Sequence, residues 1–596
     1  MINTDSPDGS NAGSARFRKR LIAVIAILIV ALPLFLGGWA FLDPDEGRYG
    51  TIPYEMLANA DFVTPTQNDI KFFDKPPLLY WTIAASYSLF GYQEWAARLI
   101  PALAALAGIL MVYALGKRMF GPRAGLLGAV ILGTSLMWPI MAHIVVTDML
   151  VSSLVFIAMA LWWMGHCEPN TRSQTRYFIG FWIVLALSVL TKGPITLVLT
   201  GGCVFMYAML CRQWQSLSAM RWRFGFPLFC AIAVPWYILV AQRNPEFNHY
   251  FWYDQHIARF MGKSTNNSHV EGVGYYFKLL PLVLFPWSAF IPAMIFANRH
   301  KWRDFVENRF GESQRAVIYA LCGIGVTLGF FSASSGKLLT YILPVVPLCA
   351  LLMGAYFDRV LSGRIAWGRA LSVSVAIVAA LLVIAGIAIL VVAPTKLRSL
   401  GINENIAVTL GIIVGGWGIA TAISTWRFRA TGLIASTAGG FTVLFVAILL
   451  ILPSVMPRFT TESLVQYVRP GFINNPESEI LTLGYVRSIP FYSKRRVEIL
   501  GPPGELENGV EHMALGEKEK WVFSGSEEMR DLREEMTDLN PVYCFMQASR
   551  RRRADVDLLM REIGNGAAPI VANERFLVFG NPAALKATPP KAGLYF

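Results

Sequence analysis

Carboxylates crowd the stretch Asp43-Pro44-Asp45-Glu46-Gly47-Arg48-Tyr49, which follows an almost wholly apolar segment. An ionisable group at the centre of a membrane helix costs about 2.5 to 3.5 kcal/mol, so acids at such an edge face water, a partner or a site. One acid alone would simply end the helix; the cluster suits acid/base work. Further on, Phe72-Phe73-Asp74-Lys75-Pro76-Pro77-Leu78-Leu79-Tyr80-Trp81 sets Lys75 before paired prolines, which fix φ and break any helix. Its aromatic neighbours favour a membrane interface, and a snorkelling anchor is the plain alternative. Asp148 closes Ala142-His143-Ile144-Val145-Val146-Thr147-Asp148, where it or Thr147 would equally serve as a helix cap. Lys192 in Leu190-Thr191-Lys192-Gly193-Pro194 and Arg259 in Gln255-His256-Ile257-Ala258-Arg259-Phe260 sit close to apolar runs, as does Lys337 in Ser334-Ser335-Gly336-Lys337-Leu338-Leu339-Thr340-Tyr341. Acids that hold or move a proton, joined to cations that hold a phosphate, are the parts needed to transfer a group away from a phosphate ester.

Composition says what scaffold must bring them together. A chain of 596 residues that is 55% hydrophobic and only 15% charged, with a mean hydropathy of +0.47, has too much apolar surface for a water-soluble core. It reads as a polytopic α-helical membrane protein. Leu21 to Phe41 is long enough for the roughly 30 Å hydrocarbon layer at about 1.5 Å per residue. It lacks a small-residue cleavage site, which makes it an uncleaved first span rather than a signal peptide. Apolar runs recur near 21-41, 96-116, 124-142, 146-165, 177-192, 194-211, 224-242, 280-297, 316-333, 338-357, 370-393, 406-425 and 433-453, about thirteen transmembrane helices.

Alternate loops carry the basic residues: Arg16 to Arg20, then Lys117 to Arg123, Arg172 and Arg176, Arg212 to Arg223, Arg299 to Arg303, Arg359 to Arg369, and Arg427 with Arg429. The positive-inside rule makes these loops, and the N-terminal segment 1-20, cytoplasmic. The transmembrane part, 21-453, then has outer loops at 42-95 and 243-279 and short ones near His143, Lys192 and Lys337. An odd number of spans puts the tail, 454-596, outside as well. β-like stretches at Glu479-Val486, Val497-Leu500, Val542-Ala548 and Arg575-Gly580, separated by charged helical segments at Ser526-Met536 and Ala554-Ile563, make that tail a small α/β domain. The net charge of +13 is dispersed over short loops rather than gathered in one stripe, so no nucleic-acid partner is expected. The seven cysteines form neither a disulfide framework nor a zinc-type cluster.

This topology puts Lys75, Lys192, Arg259 and Lys337 on the face that is ordinarily poor in positive charge, each close to a membrane boundary. An anion at that depth explains all four. A phosphate tethered to a lipid fits, because its tail stays in the bilayer while fixed cations hold its head. With Asp45 and Asp148 added, the set has both a phosphate cradle and an acid/base group, which fits transfer of a sugar from a lipid phosphate.

The run Asp43 to Tyr49, followed by Ile52-Pro53-Tyr54-Glu55-Met56 and Phe73-Asp74-Lys75-Pro76-Pro77-Leu78, resembles the opening outer loop of the GT-C lipid A aminoarabinose transferases, relatives of the protein O-mannosyltransferases. Thr147-Asp148, Thr191 to Pro194, His256 to Phe260 and Lys337 to Pro344 look like later motifs of that family in the same order. The resemblance covers the membrane part and, more loosely, the tail. It implies an inverting transfer of 4-amino-4-deoxy-L-arabinose from undecaprenyl phosphate to lipid A at the periplasmic face of a bacterial inner membrane, by a monomer. It further implies Asp45 as the principal catalytic acid and Asp148 as the second, and Lys75, Lys192 and Arg259 as holders of the donor phosphate. Tyr49 and Tyr341 would line the site, with Glu46, Asp74, His256 and Lys337 near it. Family members often carry Glu where this chain has Asp74, one methylene shorter; that weakens a divalent metal held with His256, and no metal or other cofactor is assigned.

The rival class is a transporter or lipid flippase, which also has many spans and buried charges. Transporters commonly show inverted repeats and charges near the midplane, whereas here the distinctive charges cluster at one face. Within the enzyme class, a protein or another envelope glycan as acceptor, or a different sugar, remain the alternatives.

Overall fold

The segment expected as a long outer loop, 42-95, has regular structure of its own. It opens with helix α1 (Asp45–Ala58), turns through a hairpin of β1 (Thr66–Gln67) and β2 (Ile70–Lys71), and ends in α2 (Leu78–Phe90). The structure, a computed structural model, describes residues 35–263, 270–299, 311–399, 402–523, 528–547 and 559–590. The expected cytoplasmic segment 1-20, most of the first span, Lys301, Arg303 and parts of the two charged helical segments of the tail lie outside the described residues.

The apolar runs are helical because a chain in hydrocarbon has to satisfy its peptide groups within each segment. In order they are α3 (Glu94–Phe120), α4 (Pro122–Gly133), α5 (Met137–Ala142), α6 (Thr147–His166), α7 (Thr171–Lys192), α8 (Ile195–Leu210), α9 (Trp222–Arg243), α10 (Tyr275–Val283), α11 (Ile291–Asn298), α12 (Glu312–Ala333), α13 (Val345–Leu361), α14 (Arg369–Ser399) and α15 (Asn405–Val455). Among the described residues, seven of these are long and apolar enough to cross a membrane: α3, α6, α7, α9, α12, α14 and α15.

The remaining runs are broken or short for local reasons. Run 124-142 divides into α4 and α5 where Thr134 and Ser135 turn their hydroxyls onto the carbonyls of Val130 and Ile131, at 2.6 and 2.7 Å. Run 280-297 bends by 106° between α10 and the helical stretch Trp287–Asn298, at a break that contains Pro286. Runs 194-211 and 338-357 yield helices of 16 and 17 residues. The last two runs join in α15, kinked where Arg429 takes φ 52°.

Beyond α16 (Glu462–Asn474) the chain builds a six-stranded sheet in the order β5-β4-β3-β6-β8-β7, from β3 (Glu479–Leu483), β4 (Glu498–Leu500), β5 (Val522–Phe523), β6 (Val542–Gln547), β7 (Ala568–Ala572) and β8 (Phe576–Gly580). The first four in that order are parallel and the last two pairings antiparallel. Two apolar clusters pack on it, one from Val468, Tyr543 and Val578, the other from Leu481, Leu532 and Phe579, as expected of strands covered on both faces. The sheet region rests on the 42-95 segment. Asn68 exchanges two hydrogen bonds with the backbone of Val497, at 2.7 and 2.8 Å. Asp43 accepts from the backbone N–H of Ser488 at 2.9 Å. A Cβ on Gly47 would stand 2.7 Å from that same nitrogen, so only glycine allows this approach.

Candidate functional site

Helix α6 begins at Thr147, with Val146 in the capping position and no side-chain cap, so neither Thr147 nor Asp148 is the N-cap. Asp148 lies in the first turn, where the helix dipole favours a carboxylate. Lys192 is the last residue of α7, where the dipole favours a cation. Their side chains form an ion pair, and the Lys192 ammonium also stands 4.4 Å from the centre of the Tyr341 ring.

Lys75 lies in the turn that the two prolines hold open ahead of α2. Its ammonium donates to the carbonyl of Asp74 at 3.0 Å and is 4.0 Å from the Asp74 carboxylate. The Asp74 carboxylate is fixed in turn by the Tyr250 hydroxyl and by Gln255 Nε2 at 3.2 Å. Tyr250 and Gln255 belong to the π-helical segment His249–Ala258, whose wide turn also carries His256. Arg259, just after it, donates to Gln255 Oε1 at 3.1 Å. His256 Nδ1 is 2.6 Å from the Phe251 carbonyl, and its ring packs over Gly193. Burial lowers the imidazole pKa, and Lys75 and Arg259 lower it further. Burial is also the largest influence on Lys75, whose ammonium is lowered to about 8 with Arg259, Lys192 and Arg48 adding to the shift.

Lys75, Lys192 and Arg259 all line one cavity of about 430 Å³, together with Asp74, Gln255, His256 and Tyr341. Most of the rest of its wall is apolar and aromatic, including Ile195, Val198, Ile257, Phe260, Phe330 and Phe331. A cationic pole joined to an apolar wall can hold an anionic head group and the start of an apolar tail together.

Asp45 opens α1, half exposed, and pairs with Arg48 one turn on. Tyr49 is buried, which raises the pKa of its hydroxyl, and Arg48, Asp45 and Asp148 all act on that hydroxyl electrostatically. The Arg48 guanidinium lies 5.0 Å from the Tyr49 ring centre and acts electrostatically on Lys75. Asp45, Tyr49, Asp148, Lys192, Lys75 and Arg259 thus form one connected neighbourhood built from α1, α6, α7 and the two loops.

A model of the dolichyl-phosphate-mannose-protein mannosyltransferase family matches residues 17–251. The undecaprenyl phosphate-alpha-4-amino-4-deoxy-L-arabinose arabinosyl transferase of Edwardsiella ictaluri (strain 93-146) is 30% identical over 430 residues, which are 69% of this chain and 74% of that protein. The chain belongs to the undecaprenyl phosphate-aminoarabinose arabinosyl transferase family. A second such arabinosyl transferase, from Pseudomonas fluorescens (strain Pf0-1), is 28% identical over 82% of this chain and 83% of its own length. The crystal structure of ArnT from Cupriavidus metallidurans bound to undecaprenyl phosphate superposes with a TM-score of 0.78 at 26% identity, covering 96% of this chain and 99% of that one. This arabinosyl transferase is accordingly a membrane glycosyltransferase with the GT-C fold of ArnT.

Two residues expected near the site, Glu46 and Lys337, have their charges satisfied by structural partners in the arabinosyl transferase. Glu46 is fully buried and receives Arg98 Nε and Nη2, both at 2.8 Å, along with the backbone N–H groups of Leu42 and Val145 at 3.1 and 3.0 Å. It ties α1 to α3 and to the loop before Asp148. Lys337 is buried and its ammonium donates to the carbonyls of Glu271, at 2.7 Å, and Ser334. Among the described residues no group of three His, Cys, Asp or Glu side chains is placed to hold a metal ion.

Four further residues belong to this neighbourhood, Arg48, Tyr250, Gln255 and Glu505. Arg48 is legible in the sequence, since an arginine one turn after Asp45 forms an i,i+3 pair. Glu505, which pairs with Arg48 from the sheet region, carries no local signal at all.

Proposed function

We propose that this arabinosyl transferase moves 4-amino-4-deoxy-L-arabinose from undecaprenyl phosphate to a phosphate of lipid A, as a monomer, at the periplasmic face of the bacterial inner membrane. The observation that carries this reading is the cavity in which Lys75, Lys192 and Arg259 form a cationic pole against an apolar wall. The name of its Edwardsiella relative supplies the donor and sugar, and the undecaprenyl phosphate bound to Cupriavidus ArnT supports the same donor. The face is inferred from the positive-inside rule, which makes the basic loops cytoplasmic and the 42-95 segment periplasmic; the sheet region, which rests on that segment, then stands in the periplasm.

As the glycosidic bond breaks, the departing undecaprenyl phosphate gathers negative charge, and the three cations stabilise it without proton transfer. Asp45 faces the acceptor. It takes the proton from an acceptor hydroxyl, or, with an acceptor phosphate that is already anionic, orients it and balances positive charge on the sugar ring. The reaction is assigned to the side chains, with no metal invoked.

The test is transfer by the purified full-length protein in detergent, with undecaprenyl phosphate-aminoarabinose as donor and lipid A as acceptor, followed by mass spectrometry. One aminopentose added to a lipid A phosphate is expected, and Asp45→Asn should abolish it while expression persists. Unmodified lipid A with wild-type protein would overturn the acceptor assignment, and full activity of Asp45→Asn would remove Asp45 from its role. A flippase would incorporate no sugar at all.

A further inference from the structure

Glu505 reaches over the site from the sheet region and engages two arginines through one oxygen. Its Oε2 accepts from Arg48 Nη1 and, at 3.0 Å, from Arg487 Nη2. Arg48 stands on α1, in the membrane part, and donates its other terminal nitrogen to Asp45. Arg487 stands between β3 and β4. The two guanidinium groups are well buried, at 8% and 17% exposure, whereas the two carboxylates are open, Glu505 at 42% and Asp45 at 54%. Cations are therefore held in place by the fold, while the anion between them is reachable from outside.

The donor phosphate has its own cations in the cavity, and neither Arg48 nor Arg487 lines that cavity. Two planar guanidinium forks aimed at one point are the geometry that recognises phosphate oxygens, more so than a single carboxylate oxygen. The two terminal nitrogens of Arg48 are divided between the two carboxylates, Nη1 on Glu505 and Nη2 on Asp45, so the guanidinium stands between the Glu505 position and the catalytic acid.

We propose that Arg48 and Arg487 form a subsite for the phosphate of the acceptor lipid, immediately beside Asp45, and that Glu505 occupies it until the acceptor arrives. The inference rests on the reading of lipid A phosphate as acceptor given above, and it assigns the sheet region a role: it supplies one of the two arginines and the carboxylate that keeps them apart from stray anions. Partial burial pushes the Glu505 carboxyl pKa up, but Arg48, Arg487, Lys75 and Arg259 outweigh it and lower it, which keeps Glu505 an anion at neutral pH and so a fit placeholder. An incoming phosphate dianion competes for the same two forks with greater charge.

The experiment is steady-state kinetics of the full-length protein in detergent, varying lipid A and undecaprenyl phosphate-aminoarabinose separately. Arg487→Ala should raise the acceptor KM about ten- to a hundredfold, the loss of one charge-assisted hydrogen bond, with the donor KM unchanged. Glu505→Gln should lower the acceptor KM and make inorganic phosphate a stronger inhibitor competitive with lipid A. Should Arg487→Ala fail to fold, Arg487→Lys carries the same test, keeping the charge, losing the fork and giving an intermediate acceptor KM. An unchanged acceptor KM in the arginine variants, a donor KM raised in its place, or a higher acceptor KM in Glu505→Gln overturns the subsite. Wild-type protein that leaves lipid A unmodified overturns instead the acceptor assignment beneath it.

Discussion

Asp148 and Lys192 neutralise each other across the start of α6 and the end of α7, and the same Lys192 ammonium lines the cationic pole of the cavity. The lysine is thus oriented by the acid before any phosphate arrives. Removing Lys192 takes away a preorganised cation, which typically slows a reaction about 100-fold or more. Lys192→Ala is expected to show that loss in kcat. Asp148→Asn should release the lysine, so undecaprenyl phosphate binds at least as tightly while transfer still slows. Isothermal titration with undecaprenyl phosphate beside transfer rates separates the two; weaker binding in Asp148→Asn would show that the acid does not merely orient Lys192.

Lys75 sets an alkaline limit on donor use. Burial lowers its ammonium to about 8, so the charge that holds phosphate is lost above that pH. The profile of kcat/KM for the donor should fall with an apparent pKa near 8, and the limb in kcat should lie higher, because bound phosphate favours the ammonium. Lys75→Arg should remove the limb. Stability moves the other way. The native state releases this proton near 8 and the unfolded state near 10.5, so the unfolded state binds more protons in that window and the contribution of Lys75 to stability rises with pH there. Thermal midpoints measured from pH 8 to 10.5, wild type against Lys75→Met, test that sign.

The cations of the cavity were legible because Lys75, Lys192 and Arg259 stand beside apolar runs, where a charge without a function is costly. Lys337 carries the same signature, yet its ammonium is consumed by two backbone carbonyls; a sequence shows that a cation is buried, not what has satisfied it. Glu46 adjoins Asp45 in sequence, but successive positions of a helix point to different sides, and Arg98, its partner, lies 52 residues away. Glu505 is separated from Arg48 by 457 residues. The apolar runs located the helices, but the break after Gly133 and the bend before Trp287 depend on side-chain bonds and packing that hydropathy averages away.

The Glu46–Arg98 pair should prove structural. It is fully buried, and all three Arg98 nitrogens are used, Nη1 and Nη2 reaching the carbonyls of Leu36, Trp39 and Ala40 at 2.8, 2.6 and 3.1 Å. Breaking a buried pair by removing one partner costs about 3 to 5 kcal/mol, because the other charge stays buried alone. Glu46→Ala and Arg98→Met should each lower the thermal midpoint of the detergent-purified protein substantially, and the double variant should recover part of the loss. Asp45→Asn, one residue away but half exposed, should leave the midpoint nearly unchanged. Equal destabilisation by Asp45→Asn would erase this division between a catalytic and a structural acid.

Gly193 links backbone geometry to donor binding. It ends α7 with φ 75° and ψ −158°, a region that side chains other than glycine scarcely enter, at a cost of about 1 to 3 kcal/mol. A Cβ there would also meet His256 Nε2 at 2.8 Å and the Phe251 ring at 3.2 Å, which are parts of the π-helical segment that positions Gln255 and leads into Arg259. Gly193→Ala is therefore expected to displace the wall that carries one phosphate cation while disturbing its neighbour Lys192, and to raise the donor KM about tenfold. Gly91 supplies the control, since it has nearly the same conformation, φ 82° and ψ 171°, with nothing within 4 Å of a built Cβ. Gly91→Ala should show a comparable fall in thermal midpoint with an unaltered donor KM. If both variants lose stability alike and neither changes the donor KM, the contact between Gly193 and His256 has no part in holding the phosphate.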